Sequence, residues 1–329
     1  MRRGSVRGLR GPFRRRAVAA VALALTVMAA LGGCSPQTYA VEEPLQIAGG
    51  GTTGVYYAYG GQLADALHRE LGIDISVAET HGSVDNLLRV ASGEALLGFA
   101  QGDTAADAVN GAGAFEEPLP VEAVARVYDE YVHVVVPAES EVDRIGDLAG
   151  RRVSLGAPNS GVQVIATRVL GATGVDPETI ENPALGPDAS IEALQRGEID
   201  AFFWVGGLPT PGIERLAKAM PIRLLSIEAA AVERVNSGHA GVYRLAEFPI
   251  GIYGIETPTV TMTVPNYLVT AEDAPDDLIH DTVRVLFDSR NTIAGKVATA
   301  EILDRRQAIF TSPVELHPGA ARYYIEARR

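Results

Sequence analysis

Three glycines spaced as Gly49-x-Gly51-x-x-Gly54, with Thr52 and Thr53 in the gap, are the densest concentration of potential chemistry in this 329-residue sequence. They follow a short strand-like run, Leu45-Gln46-Ile47-Ala48. They precede a segment with Tyr56, Leu63, Leu67 and Leu71 at helical spacing. Glycines in a strand-to-helix turn leave backbone amides uncovered. The helix start adds unpaired N–H donors and a partial positive charge. The chemistry this predicts is capture of a carboxylate or phosphate. The spacing also fits the dinucleotide fingerprint, with Glu79 near the end of the next strand. A phosphate-binding P-loop is excluded, because no lysine follows Gly54.

Further polar turns punctuate the chain. Thr80-His81-Gly82-Ser83 precedes a helical stripe of Val84, Leu87, Leu88 and Ala91, with Ser83 as its predicted N-cap. Gln101-Gly102-Asp103 ends the apolar run Ala95–Ala100, and Asp103 reads as a helix cap. Ala157-Pro158-Asn159-Ser160-Gly161 leads into a helix from Val162 to about Gly171, capped by Asn159 or Ser160. One of Tyr56 and Tyr57, and one of Phe203 and Trp204, can face a cleft. Arg126 and Arg152 are the nearest candidate cations. The six histidines show no i,i+4 pair and no neighbouring cysteine, so no metal site is expected. No G-x-S-x-G or S-x-x-K motif marks a serine hydrolase.

The N-terminus reads as a targeting segment. Seven arginines between Arg2 and Arg16 precede the run Ala17–Leu31, which is apolar apart from Thr26 and short for a membrane span. Leu31-Gly32-Gly33-Cys34 looks like a bacterial lipoprotein cleavage box. Residues 1–33 are expected to be a signal peptide, 34–43 a tether, and Cys34, the single cysteine, the lipidated residue on the outer face of the cell membrane. Removing the seven leader arginines takes the net charge from −13 to −20. That balance argues against nucleic acid and anionic lipid as partners. Export argues against a free nicotinamide cofactor, and no cofactor is expected.

The elements that position these turns form an α/β pattern. Residues 45–100 read as βαβαβ, which predicts a mostly parallel sheet covered by helices. In such sheets ligands bind beyond the carboxyl ends of the strands, where Gly49–Gly54, Thr80–Ser83 and Gln101–Asp103 fall. Residues 153–206 repeat the theme, again with a helix closed by Gly-Glu: Gly93-Glu94 in the first half, Gly197-Glu198 in the second. Two similar lobes are expected, each a mostly parallel sheet with flanking helices. Val121–Val127 and Tyr131–Val136 read as separate apolar runs. Phe248–Val264 reads as extended chain crossing between lobes, and Ala294–Gln307 as a helix.

Taken in order, several of these stretches resemble the TAXI family of solute receptors of TRAP transporters. They are Gly49–Tyr57, Thr80–Leu87, Gly93-Glu94 with Phe99-Ala100-Gln101, Asp147–Gly156, Gly197–Phe203 and His317-Pro318-Gly319-Ala320. The resemblance implies a type II periplasmic-binding-protein-like fold with two hinge crossings. Lobe one would comprise residues 44–135 plus 265–329, and lobe two residues 136–264. It implies no enzyme activity, a monomer, a separate TRAP-type membrane permease as partner, and a small anionic solute such as glutamate, glutamine or a dicarboxylate. On this reading Thr52, Thr53 and Gly54 offer amides or hydroxyls from lobe one, with Tyr56, Ser83 and Gln101 beside them. Asn159, Ser160, Gly161 and Phe203 face them from lobe two. Val162 departs from the family pattern, standing where a hydroxyl residue often follows Ser-Gly. A ligand-sensing subunit is the alternative role for the same architecture.

Overall fold

The computed structural model describes Tyr39, residues 45–239 and residues 241–328. The expected signal peptide, Cys34 and all of the 34–43 tether except Tyr39 lie outside those residues. The chain opens with β1 (Leu45–Ala48), α1 (Val55–Leu71), β2 (Ile75–Ala78), α2 (Ser83–Ala91), β3 (Leu97–Gln101) and α3 (Gly102–Asn110). Strand β1 pairs in parallel with both β2 and β3. Glycine closes these helices: Gly93 after α2, the stop the sequence predicts, has φ 78°, and Gly72 after α1 has φ 71°.

Strand β4 (Val121–Pro137) follows, then β5 (Val153–Ser154), α4 (Gly161–Ala172), α5 (Pro187–Gln195), β6 (Ala201–Gly206) and α6 (Pro211–Ala219). The chain continues through β7 (Ile222–Leu224), α7 (Ala229–Gly238), β8 (Arg244–Phe248) and β9 (Thr259–Ala271). It closes with α8 (Asp276–Asp288), α9 (Arg290–Ala294) and α10 (Pro318–Glu326). The strands form a nine-stranded sheet of order β2-β1-β3-β9-β4-β6-β5, with β7 added to β4 and β8 to β9. No helix among the described residues is long and apolar enough to cross a membrane.

Two long strands carry the chain between lobes. Strands β4 and β9 pair antiparallel from Val121↔Ala271 to Tyr131↔Thr263, with register shifts between Ala123 and Ala125 and between Arg126 and Tyr128. At one end of this ribbon Val127, Tyr128 and Leu268 pack with Tyr59, Leu63, Leu67 and Phe99. At the other end Val132, Val134, Met262 and Val264 pack with Ile165, Val169 and Phe203. Each fully buried side chain of this size contributes about 1.5–3 kcal/mol, so each lobe has its own core. In β4 the packing changes hands between Tyr128 and Val132, a few residues before position 135. In β9 it changes between Val264 and Tyr267.

Four sequence expectations need correction. The sheet is mixed rather than mostly parallel: β1–β2, β1–β3 and β5–β6 are parallel, but β4 and β9 run back through both lobes, so β3–β9, β4–β9, β4–β6, β4–β7 and β8–β9 are antiparallel. Residues 121–136 are one strand, not two, because the polar Asp129-Glu130 stays in the ladder opposite Pro265 and Val264. Residues 248–264 are not simply extended: Phe248 ends β8, a turn at 252–254 follows, and only then does β9 begin. Residues 294–307 are not an α-helix. Helix α9 stops at Ala294, and a 3₁₀ turn covers Ala298–Ile302. There Thr299 lies against Gly207 of lobe two, where an added Cβ would sit 2.8 Å from its hydroxyl.

Candidate ligand-binding site

Five helices begin at one cavity of about 280 Å³. Their N-caps are Gly54, Gly82 and Gln101 in lobe one and Ser160 and Gly186 in lobe two, and all five line it. No side chain caps α1, α2, α3 or α5. Their first-turn amides are left to other partners. Helix α4 is capped by Ser160, whose Oγ accepts from Gln163 N at 3.1 Å and donates to Ala157 O at 2.7 Å.

The glycine turn is pinned to its neighbour. Gly50 N donates to Thr80 Oγ1 at 2.8 Å, Thr80 donates to Asn86 Oδ1 at 2.5 Å, and Asn86 Nδ2 donates to Phe99 O at 2.7 Å. Both side chains, Thr80 and Asn86, are buried, so the starts of α1 and α2 are tied to β3. Gly49 has no room for a side chain, because a Cβ there would collide with Val77.

The cavity floor holds a buried carboxylate, Glu130, with 1% exposure. Gln101 Nε2 donates to its Oε2 at 2.9 Å, Tyr56 hydroxyl to the same oxygen at 3.2 Å, and Tyr128 hydroxyl to Oε1 at 3.2 Å. Asn266 Nδ2 donates to the Tyr56 oxygen at 2.5 Å. Burial pushes the Glu130 carboxyl up to about 8 despite these donors. Tyr56 is pushed well above its ordinary value by burial and by the Glu130 charge. Sequence reading missed Glu130. The available signal was its period-two alternation with the buried Tyr128, Val132 and Val134.

The pH consequence has a definite sign. A carboxyl raised in the fold from 4.5 to about 8 adds stability that is full below pH 4.5 and lost as pH rises through 8. His133, buried in lobe two, is lowered by burial from 6.5 to about 4, so its contribution is present above pH 6.5 and lost as pH falls through 4. The two slopes oppose each other below pH 6.5, and only the Glu130 slope remains between 6.5 and 8. Glu130→Gln is therefore expected to gain melting temperature relative to wild type across that upper window, by several degrees. Parallel melting curves for the two proteins from pH 6.5 to 8 would contradict this.

The lobes are closed on one another. Asp85 N of lobe one donates to Asn159 O of lobe two at 3.2 Å. Arg168 of α4 reaches α3, donating to Asp103 Oδ2 at 2.7 Å and pairing with Asp107, while Tyr243 hydroxyl donates to Asp103 Oδ2 at 2.5 Å. Asp103 is thus half of a cross-lobe ion pair rather than a helix cap. Gly161 sits directly against Gln101 and Ser83, and Gly54 faces the Trp204 ring.

Of the residues expected to bind ligand, Gly54, Tyr56, Ser83, Gln101, Ser160, Gly161 and Phe203 line this cavity. Thr52, Thr53 and Asn159 do not. Thr52 is exposed, Thr53 packs towards Gly212 at the start of α6, and the Asn159 side chain is exposed above a left-handed backbone, φ 59°. Ser83 is the first helical residue rather than the N-cap, which is Gly82, and its Oγ accepts from Gln101 N at 3.1 Å. Phe203 is 2% exposed and belongs mainly to the lobe-two core. Trp204 is the less buried of the two aromatics, and its Nε1 donates to Thr210 Oγ1 at 3.0 Å. Arg126 and Arg152 lie elsewhere, paired with Asp129 and Asp200. Among the described residues, no lysine or arginine lines the cavity, and no group of three His, Cys, Asp or Glu is placed to hold a metal.

Two α/β lobes, joined by two strands and opening on a shared cavity, define the type II periplasmic-binding-protein fold. The chain belongs to the NMT1-like family, which matches residues 47–327. Among solved structures it is similar to one described as a periplasmic transporter, at 14% identity over 88% of this chain and 94% of that one, with a TM-score of 0.52. It is also similar to PhnD1 from Prochlorococcus marinus MIT 9301 in complex with methylphosphonate. There the identity is 10% over 86% of this chain and 95% of that one, with a TM-score of 0.51.

Proposed function

We propose that this chain is an exported solute-binding protein that captures a small carboxylate between its lobes and delivers it unchanged to a membrane permease. The convergence of five helix starts on one cavity carries the reading. Each start favours an anion by about 0.3–1 kcal/mol when exposed and by more when water is excluded. Several together support micromolar affinity, about −8 kcal/mol. The family and the fold agree with binding rather than turnover. The cavity, about 280 Å³, is at the small end of ligand sites and below what a dinucleotide needs, so the Gly49-x-Gly51-x-x-Gly54 turn is better matched to a small anion.

The finer reading follows the TAXI resemblance: a TRAP-type permease as partner, lipidation at Cys34, and anchoring to the outer face of the membrane. Mass spectrometry of ligand released from gently purified protein is expected to find one small carboxylate in roughly equimolar amount. Recovery of a nucleotide cofactor, or catalytic conversion of the bound compound, would defeat the proposal. Labelling of the cell-expressed protein with a fatty acid, lost in Cys34→Ala, tests the anchor. Solute uptake that depends on a neighbouring permease gene tests the partner.

A further inference from the structure

Glu130 is buried without a cation: among the described residues no lysine or arginine lines the cavity. The groups packed on it come from four elements, Tyr56 of α1, Gln101 of β3, Tyr128 of its own strand and Asn266 of β9. Burial pushes both tyrosines well above their ordinary value, so they stay neutral hydroxyls where Glu130 titrates. The other titratable groups on the cavity wall, Glu79, His81 and Asp188, are exposed. The ring around Glu130 is short of donors. Gln101 Oε1 and Asn266 Oδ1 are buried, and neither has a hydrogen-bond partner among the described residues. A buried acceptor left unpaired is destabilising. With Gln101 Nε2 committed to Glu130, Oε1 is turned to the start of α4, against Gly161.

An anion at the start of α4 would meet that oxygen, acceptor against acceptor. A half-turn of the planar amide exchanges its two ends in nearly the same space. Nε2 then donates to the anion, and Oε1 faces Glu130. An ionised carboxylate only accepts and would repel Oε1, whereas a protonated one has a hydroxyl to give. We propose that Glu130 binds a proton together with the ligand, its hydroxyl donating to Gln101 Oε1 while the turned amide presents Nε2 to a ligand carboxylate oxygen at the start of α4. This rests on the carboxylate-binding reading above and adds the proton that accompanies the anion. The hydrogen bond between Gln101 and Glu130 is kept, with its direction reversed. At a pH where Glu130 is ionised in the empty protein, the proton comes from solvent. It spares the ligand a second buried negative charge with no cation to offset it.

The test is calorimetric titration of ligand-stripped protein with L-glutamate, 2-oxoglutarate, glutarate and succinate from pH 6.5 to 9.5, each in two buffers of different ionisation enthalpy. Burial raises the Glu130 carboxyl to about 8. The Kd is therefore expected to be flat at the low end and to rise towards about tenfold per pH unit above 8, with proton uptake approaching one per ligand. Glu130→Gln, whatever its absolute Kd, is expected to lower the ratio of Kd at pH 9.5 to Kd at pH 6.5 by at least about tenfold and to abolish the uptake. Titration of the ligand itself is common to both proteins and cancels. Should Glu130→Gln not fold, the wild-type uptake decides alone. A Kd and a proton count that do not change with pH overturn the proposal but leave the carboxylate reading standing. So does an uptake that survives in folded Glu130→Gln. Failure of all four compounds to bind at pH 6.5 overturns both.

Discussion

Replacing Gly161 by alanine is expected to weaken ligand binding by about 100-fold or more while leaving the unliganded protein folded. The residue opens α4 at the point where lobe two meets lobe one. A Cβ there would collide with Gln101 Oε1 and lie 2.7 Å from Ser83 Oγ. Gln101 cannot simply swing away, because its amide is bonded to the buried Glu130 carboxyl. Overpacking costs about 1–3 kcal/mol, and the lost hydrogen bond to the neutral Glu130 carboxyl contributes about 0.5–1.5 kcal/mol. Both penalties fall on the closed state alone, because in the open state the alanine methyl faces water. Alanine is also the better helix former by about 0.5–1 kcal/mol. Affinity and melting temperature should therefore part company: the first collapses and the second holds. Wild-type affinity in folded Gly161→Ala protein would show that closure does not bring α4 onto β3.

The second large effect is expected at Arg168. Its side chain is 7% exposed and its partner Asp103 is fully buried, so the pair is sealed between the lobes. Burial pushes the Asp103 carboxyl up from its ordinary range, and Arg168 and Tyr243 oppose that shift. Arg168→Met leaves a buried carboxylate beside Tyr243 and Thr104, with the Asp107 carboxylate, which has lost the same cation, repelling it. Removing one partner of a buried pair costs about 3–5 kcal/mol. In a single rigid core that loss would appear in folding stability. Here the chain can instead part its lobes and return Asp103 to water, so the loss falls on closure. Ligand affinity is expected to drop by about 10²–10³, with a larger radius of gyration in solution scattering and only a modest fall in melting temperature. Adding Asp103→Leu to Arg168→Met should recover much of the affinity, since an apolar replacement of the whole pair is often neutral. A compact, tightly binding single variant would remove the latch from the account.

Local pattern and long-range placement contributed unequally to what could be read in advance. The βαβαβ order, the glycine stops at Gly93 and Gly197, and the turn from Ala157 to Gly161 are legible because each depends on neighbours within a few residues. Glu130 was missed for a related reason. A charged residue inside an apolar run reads as a break, yet here it continues the strand because Tyr56, Gln101 and Asn266 from three other segments join Tyr128 of its own strand around it. The Arg168–Asp103 pair joins residues 65 apart in sequence, and nothing local marks either as the other's partner. Thr52 and Thr53 show the opposite error. Their residue type suits an anion site, but the bend at Gly51–Gly54 turns both hydroxyl side chains away from the cavity. Type and spacing located the turns; which side chains face inward was decided by the folded backbone.

The ribbon formed by β4 and β9 has a mechanical consequence. Two antiparallel strands flex readily across their flat face but resist slipping along their length, since slippage by one position would turn every side chain over. The irregularities beside Ala123 and Tyr128 bend and twist the lobe-one stretch of that ribbon, just ahead of the point where its packing passes to lobe two. The molecule is therefore built like a leaf spring rather than a ball joint. Each cycle of opening should retrace one arc and bring the same atoms face to face, so selectivity is re-created at every closure without a fresh search for alignment.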